Sequence, residues 1–479
     1  MTYRSSSYLI YPLAPLHSFL SASHSTAVMS SDDSEIGSKE SDVASKESVA
    51  EHANSDFNYA KEHSSIDLTH RSERRGRTTL LHQFLRPIRS HLVKPSDPHP
   101  PGSPRLTPHP SCTKICAVHE RKVADVWIYD LQPEETFQTT HKVMASAAAS
   151  HLTTAGEIAR EAKEEDTLKK NSSRNTGIVR RLYYVAGGSW REPPSHQHWK
   201  FMAKLAAATP GTAVSVVSVP LAPNETASTV FPHLLTLYEK VMQESAIRGE
   251  RVIWGGDSSG GNIVLGLIGE ALRVGRPGPS ANENVPNRDA VAGRGDVDGD
   301  TKHRPEYERG STSDEVKQFA VDEALPTKER MGVKSLPAPS AILIICPSVD
   351  ARRVNEDIEP LQDKDPVLIA EESKQQAADW AGDWALDDER ISPAVNTDAE
   401  DNLVRLLEEK NVKVHGVTAG YDILSPDAIV LREKLERGGV WGKWLHWDKQ
   451  MHCFPLAWFY GIPESKEGLQ WVIDVLKDE

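Results

Sequence analysis

The stretch VIWGGDSSGGNIVLGLI (Val252–Ile268) sets two serines between two pairs of glycines, with apolar residues on either side. Glycine weakens regular structure, so its repetition here implies a need for space or for backbone freedom. Gly256-Asp257-Ser258-Ser259-Gly260 fits G-x-S-x-G with Ser258 at its centre. The run RVIW before it reads as a strand, and NIVLGLI after it as a helix. A serine on so sharp a turn takes up a strained conformation that lifts its hydroxyl clear of the sheet edge. The residues two before and two after it then come close together, which Gly256 and Gly260 allow. Ser259 does not fit, because Asp257 occupies the place where glycine is needed. Ser258 is the expected nucleophile. Two other readings stay open: a glycine-rich turn without chemistry, and a phosphate-binding helix N-terminus, for which no P-loop lysine follows.

A serine hydroxyl needs a base to take its proton, and the base needs an acid to orient it. With a nucleophile on a strand-to-helix elbow, those partners follow in the order Asp or Glu, then His. VKVHGVTAGYD (Val412–Asp422) reads as a buried strand and a loop ending in aspartate, which places Asp422 where such sheets carry functional groups. Asp427 is the runner-up, but it stands at a helix start, where an N-cap role explains it. The expected base is His452 in WDKQMHCF, after the last strand; His446 lies inside that strand, and His415 precedes the acid. Developing negative charge on a substrate oxygen calls for backbone N–H donors. Gly187 and Gly188, at the end of the strand IVRRLYYV, and the N–H of Ser259 are the expected oxyanion hole.

These groups are set out by alternating apolar strands and helical patterns, from Val123–Tyr129 to a closing helix at Glu467–Leu476. Such repetition predicts a mostly parallel sheet with helices on both faces. The polar, serine-rich start and the proline-rich Pro95–Pro110 place residues 1–112 outside the fold as a disordered or low-complexity extension, leaving 113–479 as one domain. Within the extension, LLHQFLRPIRSHL suggests a short helix broken at Pro87 in a solvated linker. The glycine-rich, unpatterned residues 275–334 read as a disordered insertion.

The net charge of −14 over 479 residues argues against nucleic acid as a partner. No run of about 18 apolar residues predicts a transmembrane helix. The four cysteines, Cys112, Cys116, Cys346 and Cys453, suit a reducing compartment and make no zinc-site pattern. Tyr8–Leu20 has the outline of a secretory signal, but prolines and a histidine interrupt it, so a cytoplasmic location is expected.

Taken in order, AGGS (Ala186–Ser189), VPLAP (Val219–Pro223), GDSSGG (Gly256–Gly261), DIL (Asp422–Leu424) and HCF (His452–Phe454) carry a resemblance. The sequence is similar to the α/β-hydrolase superfamily, and to its hormone-sensitive-lipase-like esterase branch, including fungal esterase-like members. That branch shows HGGG, Y-x-L-A-P, GDSAGG, D-P-L and H-x-F at these places. The resemblance implies an α/β-hydrolase fold and hydrolysis of small or medium acyl esters through an acyl-enzyme, with no cofactor and no metal. It also implies a cap of N-terminal helices, expected at about 135–170 and joined by Val354–Trp384. Ala186 replaces the histidine that supports the oxyanion loop, and Val219 replaces a tyrosine. Two alternatives accompany the esterase reading. One is a non-catalytic small-molecule-binding protein, as in the plant gibberellin receptor, which resembles this branch but lacks the catalytic histidine. The other is an amide or formamide hydrolase.

Overall fold

The computed structural model describes residues 64–92, 97–133, 178–274, 336–395 and 402–479. Its strands are β1 Ile66–Arg71, β2 Cys116–Val123, β3 Val126–Pro133, β4 Arg180–Val185, β5 Thr212–Ser218, β6 Arg251–Asp257, β7 Ala341–Ile345, β8 Lys413–Tyr421 and β9 Gly442–Met451. They form one sheet in the order β1-β9-β8-β7-β6-β4-β5-β3-β2. β3 runs antiparallel to both β2 and β5, and the other neighbours are parallel. The helices are α1 Gly76–Leu85, α2 Arg89–Leu92, α3 Pro110–Thr113, α4 His196–Ala208, α5 Ala227–Arg248, α6 Ser258–Arg273, α7 Ala370–Ala381, α8 Leu403–Glu409, α9 Ser425–Arg437 and α10 Pro463–Asp478.

Side chains alternate across a strand, so a sheet covered on both faces must be apolar at every position. The AILII of β7 is buried throughout. In β4, Leu182 and Tyr184 pack with Phe201 of α4 and Leu469 of α10. Tyr183 and Val185 face the opposite layer, with Leu237 of α5 and Ile268 of α6. The two arginines that open β4 are buried because they have hydrogen-bond partners: Arg181 reaches Glu250 at 2.7 Å and Asp130 at 3.1 Å, and Arg180 donates to the Leu476 and Lys477 carbonyls at 2.7 Å.

The expectation that the fold begins at residue 113 is overturned. Ile66–Arg71 pairs in parallel with Gly442–Trp447 as the sheet's edge strand. Leu81, Leu85 and Leu92 are buried in the core, so LLHQFLRPIRSHL is no solvated linker. Its helix does break at Pro87, where a 3₁₀ turn (Arg86–Ile88) separates α1 from α2. The proline-rich segment runs against β3 and β5. Proline has no N–H for a strand ladder, and side chains do the tying instead: Ser103 Oγ donates to the Ser218 carbonyl at 2.6 Å and accepts from Trp127 N at 2.9 Å. The possible signal at Tyr8–Leu20, the cap helices expected at 135–170 and the insertion at 275–334 lie outside the described residues. No described helix is long and apolar enough to cross a membrane.

Candidate active site

β6 ends at Asp257, and α6 starts at Ser258, whose φ of +53° is one that residues with side chains rarely adopt. The turn is packed tightly on both sides. A Cβ on Gly256 would lie 2.6 Å from the Gly260 carbonyl carbon, and one on Gly260 would lie 2.1 Å from the Val185 carbonyl oxygen. The glycines are there for space, which is why Ser258 and not Ser259 occupies the bend.

Asp422 follows β8 and is fully buried. Its Oδ2 lies 2.8 Å from His452 Nδ1, and its Oδ1 accepts the Leu424 N–H at 2.9 Å. An ionised carboxylate only accepts, so Nδ1 carries the ring proton and Nε2 keeps its lone pair. Burial opposes a charged imidazolium at His452. The Asp422 charge and hydrogen bond outweigh it, with Asp365 and Asp257 adding, so His452 is held above the usual histidine range.

Asp365, which the sequence did not single out, stands behind this pair. Its Oδ2 accepts the Ile423 N–H at 3.0 Å, and its Oδ1 accepts from Val367 and Leu368. In a D-P-L turn the middle residue has no N–H to give; Ile423 has one and uses it here. Burial, followed by the neighbouring Asp422 charge, lifts Asp365 to about 7 despite those donors.

The expected oxyanion donors need a correction. The Gly187 N–H points to Asp257 Oδ1 at 3.1 Å, so that carboxylate already occupies it. Gly188 and Ser189 line the cavity with Ser258, and among the described residues their N–H groups and that of Ser259 have no hydrogen-bond partner. The loop turns through positive φ at Gly188, Ser189 and Trp190. Its strain is held from several sides. Trp190 N donates to Ser259 Oγ at 3.1 Å, Trp190 Nε1 to Asn262 Oδ1 at 3.3 Å, and Ala222 N to the Trp190 carbonyl at 2.9 Å.

Asp257 also accepts from Tyr184 OH at 2.9 Å and bonds His198 Nε2 at 3.1 Å. His198 Nδ1 accepts the Ser195 N–H, so its ring proton lies on Nε2 and is donated to the carboxylate. Burial opposes the Asp257 charge, but His198 and these donors hold its carboxyl below the ordinary value. The support expected from a histidine at Ala186 therefore comes from Asp257 and His198.

Ser258, His452 and the Gly187–Ser189 loop open on one cavity of about 180 Å³. Leu81, Leu85 and Leu92 form one apolar wall, with Val367 and Leu368 on another, so segments 76–92 and 356–381 enclose the pocket. No hydrogen bond joins Ser258 to His452 among the described residues; the sulfur of Cys453 lies 3.4 Å from His452 Nε2. Asp427 is not part of the site: it lies at the start of α9, 4.0 Å from Arg353. His415 pairs with Glu479, and His446 with Thr418 and Asp448.

The family model described as the alpha/beta hydrolase fold matches residues 182–290 and 319–456, just over half of the 479. The chain belongs to that family. No curated protein matches it. Among solved structures it is similar to the esterase EstE5 soaked with p-nitrophenyl butyrate, at 14% identity and TM-score 0.50, covering 85% of this chain and 99% of that one. The same values hold for an esterase/lipase from an uncultured bacterium and for an esterase from the bacterial hormone-sensitive lipase family. At that identity the likeness establishes the fold.

Proposed function

We propose that this chain is a serine hydrolase that cleaves carboxylic esters of small or medium acyl chain. The observation that carries the reading is the hydrogen-bonded Asp422–His452 pair opening on the same cavity as Ser258 at its strained bend. His452 Nε2 takes the Ser258 proton as the hydroxyl oxygen attacks the ester carbonyl. The N–H groups of Gly188, Ser189 and Ser259 hold the resulting oxyanion, at the N-terminus of α6, where the helix dipole favours negative charge. Collapse expels the alcohol, which takes the proton from His452. Water then repeats the sequence on the acyl-enzyme and releases the acid. Bonds between base and nucleophile are often long before substrate tightens them, so the Ser258–His452 spacing is compatible with this role.

The reading requires no cofactor, takes a small-molecule ester as partner and fits a cytoplasmic enzyme. The apolar walls suit an acyl chain, and the structurally similar chains are described as esterases. A binding-only protein would have no use for an oriented base, and His452 is present and oriented. Ester and amide or formamide hydrolysis share the machinery, so a substrate panel separates them.

The test is Ser258→Ala with p-nitrophenyl butyrate and a fluorophosphonate probe. Turnover and labelling are both expected to vanish while the melting transition stays in place. Unchanged turnover in that variant would refute the assigned nucleophile.

A further inference from the structure

Two cysteines stand next to the base, and the esterase chemistry uses neither. Cys346 closes β7 and is fully buried; Cys453 directly follows His452 and lines the cavity. Both are free thiols with left-handed backbone, φ +47° and +49°. Such conformations are uncommon for residues with side chains and tend to mark functional positions. Cys346 Sγ, Cys453 Sγ and a ring nitrogen of His452 all lie within 4.8 Å of one another, and Cys453 Sγ is 3.4 Å from Nε2.

We propose that Cys346, Cys453 and His452 Nε2 form a site for a thiophilic divalent cation of the Zn²⁺ or Cd²⁺ class, and that its occupancy switches the hydrolase off. The donor set, two thiolates and an imidazole with water as the fourth ligand, is one that zinc takes. With zinc–sulfur and zinc–nitrogen bonds of about 2.3 and 2.0 Å, a tetrahedron has a sulfur–nitrogen edge of about 3.5 Å. Cys453 Sγ and His452 Nε2 stand 3.4 Å apart. A metal-ligating histidine characteristically donates its other ring N–H to a carboxylate, which orients it and raises its basicity. The 2.8 Å bond from His452 Nδ1 to Asp422 is that arrangement.

Binding breaks two S–H bonds and forms two metal–sulfur bonds and one metal–nitrogen bond, with both protons leaving to solvent. The ion's two positive charges are then balanced by two thiolates, so the buried site gains no net charge. Asp257 Oδ2, 3.8 Å from Cys453 Sγ, adds a negative field favourable to a cation. The off-switch follows from one lone pair. Nε2 either accepts the Ser258 proton or binds the ion, and cannot do both. That consequence rests on the esterase reading; the metal site does not.

The experiment titrates the full-length, EDTA-treated protein with CdCl₂, then ZnCl₂. It follows the ultraviolet thiolate-to-cadmium charge-transfer band and, in parallel, p-nitrophenyl butyrate turnover. One equivalent of Cd²⁺ is expected to saturate the band and to remove turnover, and EDTA to restore it. Cys346→Ser and Cys346→Ala are both expected to lose the band and to need at least tenfold more metal for half-inhibition of their own metal-free rate. Two Cys346 variants guard against a packing defect in either. His446→Ala, which alters the His70–His446–Asp448 cluster elsewhere on the sheet, is expected to change neither readout. Absence of the band at equimolar Cd²⁺, or its persistence in both Cys346 variants, overturns the proposal. So does inhibition that disappears in His446→Ala. A band with the expected variant dependence in a protein without esterase turnover would uphold the metal site and refute the esterase reading.

Discussion

Gly260 and Gly269 both lie in α6, and exchanging each for alanine separates helix propensity from the demands of the bend. By propensity alone, both exchanges should stabilise the helix by about 0.5–1 kcal/mol. At Gly269 the added Cβ meets nothing closer than Leu403 Cδ1 at 3.4 Å, an ordinary contact, so the gain should be realised. At Gly260 the same atom would lie 2.1 Å from the Val185 carbonyl oxygen and 2.8 Å from the Ala186 carbonyl carbon. Neither is a flexible side chain that could move aside. Relief requires the helix start and the end of β4 to part by about 1 Å, at a cost of about 1–3 kcal/mol or more for overpacking. That gap opens between Ser258 and the loop carrying the Gly188 and Ser189 amides. A misplacement of this size costs about 100-fold in rate. Urea denaturation and kcat/KM for p-nitrophenyl butyrate measure both effects. Gly269→Ala should shift the midpoint up at unchanged kcat/KM, while Gly260→Ala should lose both stability and rate. A Gly260→Ala protein as stable and as active as its parent would show that the elbow is not set by this contact.

Asp422→Asn should keep the fold but favour the wrong His452 tautomer, lowering kcat by about 10⁴-fold; loss below tenfold in a steady-state assay would remove Asp422 from its role. Asp365 adds to the field that raises His452, so Asp365→Asn should move the acidic limb of the kcat/KM–pH profile to lower pH. Asp365 holds its proton to about 7 in the fold against 3.8 for a free side chain, so its share of stability is full below about pH 4 and lost as pH rises through 7. Thermal melts should therefore show a wild-type advantage over Asp365→Asn that is larger at pH 5 than at pH 8. Leu85→Trp fills the acyl wall and should lower kcat/KM for octanoate relative to acetate esters by about tenfold or more, as a specificity assay with both would show.

The sequence made the bend readable because its steric requirement is local: two glycines at fixed offsets, a strand before and a helix after. Asp422 and His452 were readable from their order along the chain and their places after strands, and the structure brings the two into contact. The choice among loop amides was not. Whether Gly187 or Ser189 presents its N–H to the cavity depends on a carboxylate from another strand, Asp257, which nothing in AGGSW announces. β1 was missed because an edge strand has few apolar contacts. In IDLTHR only Ile66 is fully buried, so no alternation stands out. In GRTTLLHQFL the buried set includes Thr78 and His82 beside Leu81 and Leu85. Burial and nearby arginines push His82 down to about 3, so it is carried neutral, as an apolar pattern alone would not suggest.

The departures from the branch pattern are places where support has moved to other residues. Alanine at position 186 removes a polar side chain under the oxyanion loop, and Asp257 holds that loop at Gly187, with Tyr184 and His198 fixing its carboxylate. Isoleucine at position 423 replaces a residue without an N–H, and the N–H it gains fastens the turn after Asp422 to Asp365. Asp365 in turn holds Val367 and Leu368, which face the cavity. The acid's turn and one wall of the acyl pocket are thus held by the same carboxylate. Hydrogen bonds through Asp365 link that wall to the turn after Asp422, and a further one links Asp422 to the base, so a change in the charge of Asp365 bears on both the wall and the turn.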